Sequence, residues 1–222
     1  MSDLIYIIDD DMPFRTAIAR LLQLRGYSVV QYESADLFLE QARGGLEPGC
    51  ILLDVKLPGL TGPGLQEHLS QLGSAFPIVF LTGHGDVPTT VRAIKAGAED
   101  FLTKPVSEQS LIDSIERALA NYQAQHAKAE QLKSARGRLQ TLTPREREVF
   151  EHVARGITNK QTARELGIAE RTIKAHRVRV FWKLGTKTVA DLVTFAERLG
   201  ILADQPLAEH PILESPSSHS EE

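Results

Sequence analysis

A chain of 222 residues with 42% hydrophobic side chains can bury one large core or two modest ones, and we expect two. Its one cysteine, Cys50, excludes an intrachain disulfide framework, and its place in an apolar run reads as a small buried hydrophobe. The apolar stretch Leu4–Ile8 runs straight into Asp9, Asp10 and Asp11, which no signal-peptide core or membrane span does, so a soluble cytoplasmic protein is expected.

The net charge of −4 conceals an uneven distribution. Residues 1–123 carry nine Lys/Arg against sixteen Asp/Glu, residues 124–203 carry sixteen against eight, and residues 204–222 carry five acids and no base. An acidic half joined to a basic half suggests a cation-handling or regulatory module attached to one that binds a polyanion. A merely solvated basic surface is the alternative until a motif decides.

In chain order, short β-branched runs at Leu4–Ile8, Ser28–Tyr32, Ile51–Asp54, Ile78–Thr82 and Asp100–Lys104 read as strands. Helical patterns lie between them at about 12–25, 34–43, 62–72 and 87–96, and another starts near Ser107. This alternation predicts a parallel sheet covered on both faces, with active groups outside the carboxyl ends of its strands.

From Ser107 the helical pattern continues without a proline to Pro144. Leu111, Ile115, Ala118, Tyr122, Gln125, Ala129, Leu132, Arg136 and Leu139 alternate at spacings of four and three, a heptad seam that Gln125 and Arg136 interrupt. Either one long helix links two domains and pairs with its copy, or the helix breaks into flexible linker near Gly137. The expected organisation is a first domain over 1–120, a helical linker over 121–141, a second domain over 142–203 and a tail over 204–222. That tail, with Pro206, Pro211, Pro216 and a Ser-rich acidic end, reads as disordered, and no internal repeat is present.

Asp9 and Asp10 directly follow the first strand and Asp54 closes the third, so three carboxylates meet at one sheet edge. Such a cluster repels itself unless positive charge sits within it. A hard divalent cation, Mg²⁺ or Mn²⁺, answers that requirement, and Lys104 at the end of the fifth strand adds an ammonium. Thr82, ending the fourth strand, offers a hydroxyl. A carboxylate nucleophile, a metal, an ammonium and a hydroxyl are the parts that phosphoryl transfer to aspartate needs. Asp54, closing a central strand behind Ile51–Leu53, is read as the nucleophile, with Asp9 and Asp10 on the metal. Any one acid at a strand end is ordinarily a cap or a solvated turn; the set together is not.

Residues 1–120 resemble the receiver domain of bacterial response regulators, a flavodoxin-like α/β fold with a five-stranded parallel sheet and helices on both faces. The matching pieces are Ile-Ile-Asp-Asp-Asp (7–11), Leu-Leu-Asp-Val-Lys-Leu-Pro-Gly-Leu-Thr-Gly (52–62), Leu-Thr-Gly-His-Gly-Asp (81–86) and Ala-Gly-Ala-Glu-Asp-Phe-Leu-Thr-Lys-Pro (96–105). The resemblance implies that Asp54 is the phosphoacceptor and that Asp9, Asp10, Asp54 and the Lys56 backbone carbonyl hold the metal. It implies Thr82 and Phe101 as the hydroxyl and aromatic switch positions, Lys104 as the phosphate-facing lysine, and a cis Lys104–Pro105 bond. Phosphorylation would then draw in the Thr82 hydroxyl and let Phe101 rotate, reshaping the face of the fourth helix, fifth strand and fifth helix. Gly83 and Gly85 leave the adjoining loop easy to move. Plain core filling is the alternative for Phe101, and His84 reads as a loop residue.

Residues 143–200 read as four short helices. Thr143-Pro144-Arg145-Glu146 fits an N-cap, a first-turn proline and a capping glutamate, with Val149, Phe150 and Val153 on the inner face. Gly156 ends that helix. Asn159 is expected to cap the next, which carries Ala163 and Leu166; Gly167 makes a turn, and a third helix runs from about Glu170 to Leu184. This is an all-α four-helix module built on a helix-turn-helix. Ile173, His176, Val180 and Leu184 share one sector, which must face the core, so His176 reads as a satisfied core histidine rather than a reader of bases. Arg171, Lys174, Ala175 and Val178, with Arg179 beside them, form an opposite basic face suited to the DNA major groove. Lys160 and the amides at the start of the second helix could clamp a phosphate. The expected DNA-binding set is Asn159, Lys160, Arg171, Thr172, Lys174, Ala175, Val178 and Arg179. Trp182 is left open between packing and stacking on bases.

Leu-Thr-Pro-Arg-Glu-Arg-Glu-Val (142–149), Gly-Ile-Thr-Asn-Lys-Gln-Thr-Ala (156–163) and Arg-Thr-Ile-Lys-Ala-His-Arg (171–177) resemble the LuxR-type DNA-binding domain. With the receiver in front, the chain resembles the FixJ branch of response regulators over about 200 residues, the tail excluded. The resemblance implies a sensor histidine kinase, promoter DNA and RNA polymerase as partners, a homodimer when phosphorylated, and no membrane. It also implies dimerisation on DNA through the fourth helix, which fits Val189, Leu192, Val193 and Ala196. Arg177 lies close to the core sector and departs from a simple groove-facing pattern. A metal-dependent phosphatase using the same carboxylates, and a DNA-binding protein indifferent to phosphorylation, are the competing readings.

Overall fold

A computed structural model describes residues 3–73, 76–83 and 87–202 of the chain. The loop residues His84 and Gly85 and the tail over 204–222 lie outside the described residues. Contacts divide the chain into two units, Met1–Ala127 and Lys128–Glu222.

In the first unit, β1 (Leu4–Ile8), β2 (Ser28–Tyr32), β3 (Cys50–Asp54), β4 (Ile78–Thr82) and β5 (Asp100–Thr103) form one parallel sheet of order β2-β1-β3-β4-β5. Both faces of a parallel sheet are covered, which is why β1, β3 and β4 are almost unbroken apolar runs. Strand side chains alternate between faces and so sort into two cores. Leu4, Tyr6, Ile8, Ile51, Leu53, Ile78 and Phe80 pack with Ala35 and Phe38 of α2 (Ala35–Ala42), Leu65 and Leu69 of α3 (Gly62–Gln71) and Ala93 of α4 (Val87–Lys95). Ile5, Ile7, Cys50, Leu52, Val79 and Leu81 pack with Ile18, Ala19 and Leu22 of α1 (Met12–Leu24) and with Leu111, Ile112, Ile115 and Ala118 of α5 (Glu108–Gln140). The expected strands and helices are present with small shifts. β3 starts one residue earlier, at Cys50, which is fully buried, and β5 stops at Thr103, so Lys104 stands just beyond the sheet.

Two expectations for α5 are resolved. The helix runs from Glu108 to Gln140 with no break at Gly137. The heptad seam does not form a continuous outward stripe, because Leu111, Ile115 and Ala118 are consumed by the first unit's own core. Ala135 and Leu139, at the other end, belong to the core of the second unit.

The second unit adds α6 (Pro144–Ala154), α7 (Asn159–Glu165), α8 (Glu170–Leu184) and α9 (Val189–Arg198). Thr143 caps α6 through the expected reciprocal pair with Glu146. Glu146 also receives the Lys183 ammonium at 2.6 Å, tying the start of α6 to the end of α8. Burial raises the Glu146 carboxyl, but hydrogen bonds from Lys183 and Thr143 outweigh it and hold the group below the usual carboxylate range. The cap expected at Asn159 is corrected. Thr158 is the extended N-cap, its hydroxyl accepting from the Gln161 amide, and the Gln161 side chain returns to the Thr158 amide, a closed pair that leaves Asn159 as the first helical residue. Gly167, at φ +66°, makes the turn into α8 in the left-handed region that favours glycine.

The fourth-helix expectation is also corrected at two positions. Leu192 and Ala196 are fully buried with Val149, Phe150 and Val180 in the unit's own core, and so present nothing to a second copy. Val189 is 40% exposed and Val193 is half-buried, which leaves these two accessible.

Candidate functional site

The strand order reverses between β1 and β3, and in open α/β sheets the crevice beyond the carboxyl ends at such a point is where ligands bind. Ile8 pairs with Leu53, so Asp9 and Asp54 emerge side by side at this crevice. Asp9 is fully buried, Asp54 nearly so, and Asp10 is exposed. One carboxylate oxygen from each lies within 4.8 Å of the others.

The Lys104 ammonium sits among them, 2.6 Å from Asp9 Oδ2 and 3.6 Å from Asp54 Oδ1. Its backbone amide donates to the Thr82 carbonyl, its ammonium lies 4.2 Å from the centroid of the Phe14 ring, and the Lys104–Pro105 bond is cis, as the resemblance implies. The other Asp9 oxygen accepts from the Asp11 amide at 3.0 Å, while the Arg15 guanidinium donates to the Asp9 carbonyl. Burial pushes the Asp54 carboxyl above its ordinary range; Lys104 pulls it down, Asp9 and Asp10 push it back up, and the Val55 amide lowers it.

The cluster offers only carboxylate oxygens, the donor chemistry of a hard divalent cation, and the single Lys104 ammonium offsets only part of its negative charge. Lys56 follows Asp54 by two residues, its side chain exposed. Thr82 is buried at the end of β4, the strand next to β3. Phe101 is half-buried on β5, its ring tilted on that of Phe80 with centroids 6.0 Å apart. Beside it, Asp100 accepts from the Phe101 amide and from Ser114 and Arg117 of α5, tying β5 to that helix.

Sequence reasoning missed Arg15, Phe14 and Gly62. Arg15 and Phe14 act through a backbone carbonyl and a ring face, neither of which leaves a residue-type signature. Gly62 opens α3 where a Cβ would stand 2.2 Å from the Asp54 carbonyl oxygen and 3.1 Å from the Phe80 ring. The acceptor residue's backbone is thus packed directly against a helix start.

In the second unit, α8 buries Ile173, Val180 and Leu184 and exposes Arg171, Lys174, Ala175, Val178 and Arg179; Thr172 and His176 are half-buried. The His176 Nδ1 is buried, which agrees with a place on the inner side, but it has no hydrogen-bond partner among the described residues, so the expectation of a satisfied core histidine is corrected. Arg177 donates to Asn159 Oδ1 at 2.8 Å and lies over the Phe181 ring, so its guanidinium joins α8 to α7. Asn159 is accordingly half-buried, while Lys160 beside it is exposed. Trp182 is 82% exposed.

Comparisons with known proteins agree with both halves. The family model described as the response regulator receiver domain matches residues 5–116, and that of the luxR family of bacterial regulatory proteins matches residues 140–196. Response regulator protein TmoT of Ectopseudomonas mendocina is 42% identical over 198 residues, 89% of this chain and 90% of its own. Transcriptional regulatory protein FixJ of Bradyrhizobium diazoefficiens is 40% identical over 200 residues, 90% of this chain and 97% of its own. Among solved structures, response regulator StyR is similar with a TM-score of 0.82 at 41% identity, covering 89% of this chain and 100% of its own.

Proposed function

Because the chain belongs to the response regulators that join a receiver domain to a LuxR-type DNA-binding domain, we propose that Asp54 is the phosphoacceptor through which this transcription regulator is switched. A receiver implies a histidine kinase as donor, and the second domain implies DNA as target. The observation that carries the assignment is the Lys104 ammonium set between Asp9 and Asp54, with the Asp10 carboxylate in the same cluster.

In the transfer, an Asp54 carboxylate oxygen attacks phosphorus, the P–N bond to the donor histidine breaks, and the electron pair returns to the imidazole. Asp9, Asp10, Asp54 and the Lys56 carbonyl would hold Mg²⁺ or Mn²⁺, which when bound neutralises the phosphoryl oxygens. Lys104 exchanges part of its contact with Asp9 for a phosphoryl oxygen. The Thr82 hydroxyl turns toward the phosphoryl group, and Phe101, already only half-buried, rotates inward. The β5–α5 tie through Asp100, Ser114 and Arg117 lies next to that rotation and carries it to the α4–β5–α5 face.

The functional modules are the receiver over 1–120 and the DNA-binding domain over 142–203, joined by the segment 121–141, which is α5 as far as Gln140. On DNA, Arg171, Thr172, Lys174, Ala175, Val178 and Arg179 face the groove and Lys160 meets a phosphate, while Asn159 positions Arg177. Val189 and Val193 form the accessible part of a dimer contact in the phosphorylated state, and RNA polymerase is a further partner. Among the described residues no helix is long and apolar enough to cross a membrane; we assign the protein to the cytoplasm, where kinase and DNA meet.

Incubation with acetyl phosphate and Mg²⁺ should label the wild-type chain and the Asp36→Ala variant but not Asp54→Ala. Undiminished labelling of Asp54→Ala overturns the assignment.

A further inference from the structure

The one tryptophan of the chain, Trp182, is 82% exposed on α8, and Val178 one turn before it is 70% exposed. The core cluster of the second unit takes up Ile173, Val180 and Leu184 of the same helix but neither of these two. Arg171, Ala175, Val178 and Trp182 follow one another at spacings of four, three and four, so they lie on one face. Lys174 and Arg179 flank that face, both exposed. It therefore has an apolar centre with a cationic rim, and at 1.5 Å per residue it extends about 16 Å from Arg171 to Trp182.

The charge pattern selects the occupant. A second copy laid on this face would bring Arg and Lys against the same Arg and Lys, since a two-fold interface pairs a surface with itself. A polyanion that also presents apolar groups in a groove meets both requirements. Duplex DNA does so through the C5-methyl groups of thymine, which project into a major groove about 12 Å wide.

We propose that Trp182, together with Val178, reads thymine methyl groups in the major groove, extending the sequence-reading face of α8 toward its C-terminal end. The inference rests on the reading of α8 as the DNA-binding helix. Trp182 brings no charge, so its contribution falls on sequence preference and leaves the electrostatic part of binding alone.

The test uses the full chain treated with acetyl phosphate and Mg²⁺, and a duplex selected by it from random-sequence DNA. A second duplex carries uracil in place of every thymine of the selected site, removing only methyl groups. The wild-type chain should bind the uracil duplex about tenfold more weakly, the scale of one disturbed base-pair contact. Trp182→Ala should lose about tenfold on the thymine duplex, with the same slope of affinity against salt, and distinguish the two duplexes by about twofold at most. Trp182→Phe, which keeps a ring, should retain most of the discrimination. Tryptophan emission should shift when the thymine duplex is added. Equal affinity of Trp182→Ala and wild type, or thymine preference surviving in Trp182→Ala, overturns this inference alone. So does an emission shift that follows protein concentration without DNA, which makes a second copy the occupant. Failure to recover any duplex overturns the DNA-binding reading and this inference with it.

Discussion

Asp9 and Asp54 are both buried at the same sheet edge, yet Lys104 stands 2.6 Å from one and 3.6 Å from the other. The nearer contact leaves Asp54 as the carboxyl that burial raises and the ammonium only partly relieves. A raised native value means that the folded chain keeps this proton where the unfolded chain has already released it. Stability therefore falls as pH rises from the unfolded carboxylate value through the raised native one. Without metal, Asp54→Asn should melt higher than wild type above that window, and the difference should close at lower pH. Adding Mg²⁺ should raise the wild-type melting temperature and leave Asp54→Asn unchanged; thermal scans with and without chelator read both. Gly62 makes the complementary point about backbone space. Its missing Cβ lets α3 start against the Asp54 carbonyl, so Gly62→Ala should cost roughly 1–3 kcal/mol in urea unfolding, as overpacked cores do. It should also reduce labelling at Asp54, because the clash is with backbone that cannot rotate away.

Among the elements, α7 gives the clearest contrast between local and long-range determinants. Thr158 closes a pair with Gln161 three residues on, whereas Asn159 is held by Arg177 from the following helix. Thr158→Ala should therefore lower unfolding free energy by about 1 kcal/mol, the usual effect of removing a helix cap. Asn159→Ala should leave α7 capped and act instead by freeing Arg177; a helical signal that melts earlier in Asn159→Ala than in Thr158→Ala would reverse this assignment. The cap at Thr143 was readable because proline and glutamate follow it at fixed spacing. The cap at Thr158 carries the same kind of signal in Gln161, and Asn159 competes with it as an equally good capping residue type. On α9 the apolar period was plain, but period alone does not say whether an apolar face turns inward or toward a second copy. Leu192 and Ala196 turned inward because Val149, Phe150 and Val180 meet them there.

For the whole molecule, the charge asymmetry visible in composition coincides with a division of labour between the two units. The first holds the carboxylate cluster of a receiver domain, and the second carries the excess of bases in a LuxR-type domain, which implies DNA. Affinity for DNA should fall steeply as salt rises. Arg171→Ala and Lys174→Ala should each reduce the magnitude of that slope by about 0.9 where the side chain neutralises a phosphate. Arg177→Ala should lower the stability of the second unit with little change in slope, since its guanidinium is engaged by Asn159. Titrations at several salt concentrations distinguish these outcomes.

Strand alternation, helix period, glycine turns and acids at the strand ends are properties of residues within a turn or two of each other, so the chain alone specified the two-module plan and which carboxylates close strands; that Asp9 and Asp54 share one edge follows only from the pairing of β1 with β3. The tertiary structure decided which carboxylate Lys104 favours, why Gly62 must lack a side chain, and that Arg177 belongs to the scaffold. It also decided that half of the α9 apolar face is interior. Each of those outcomes depends on residues distant in sequence meeting in one place, and only the packing of the elements fixes such meetings.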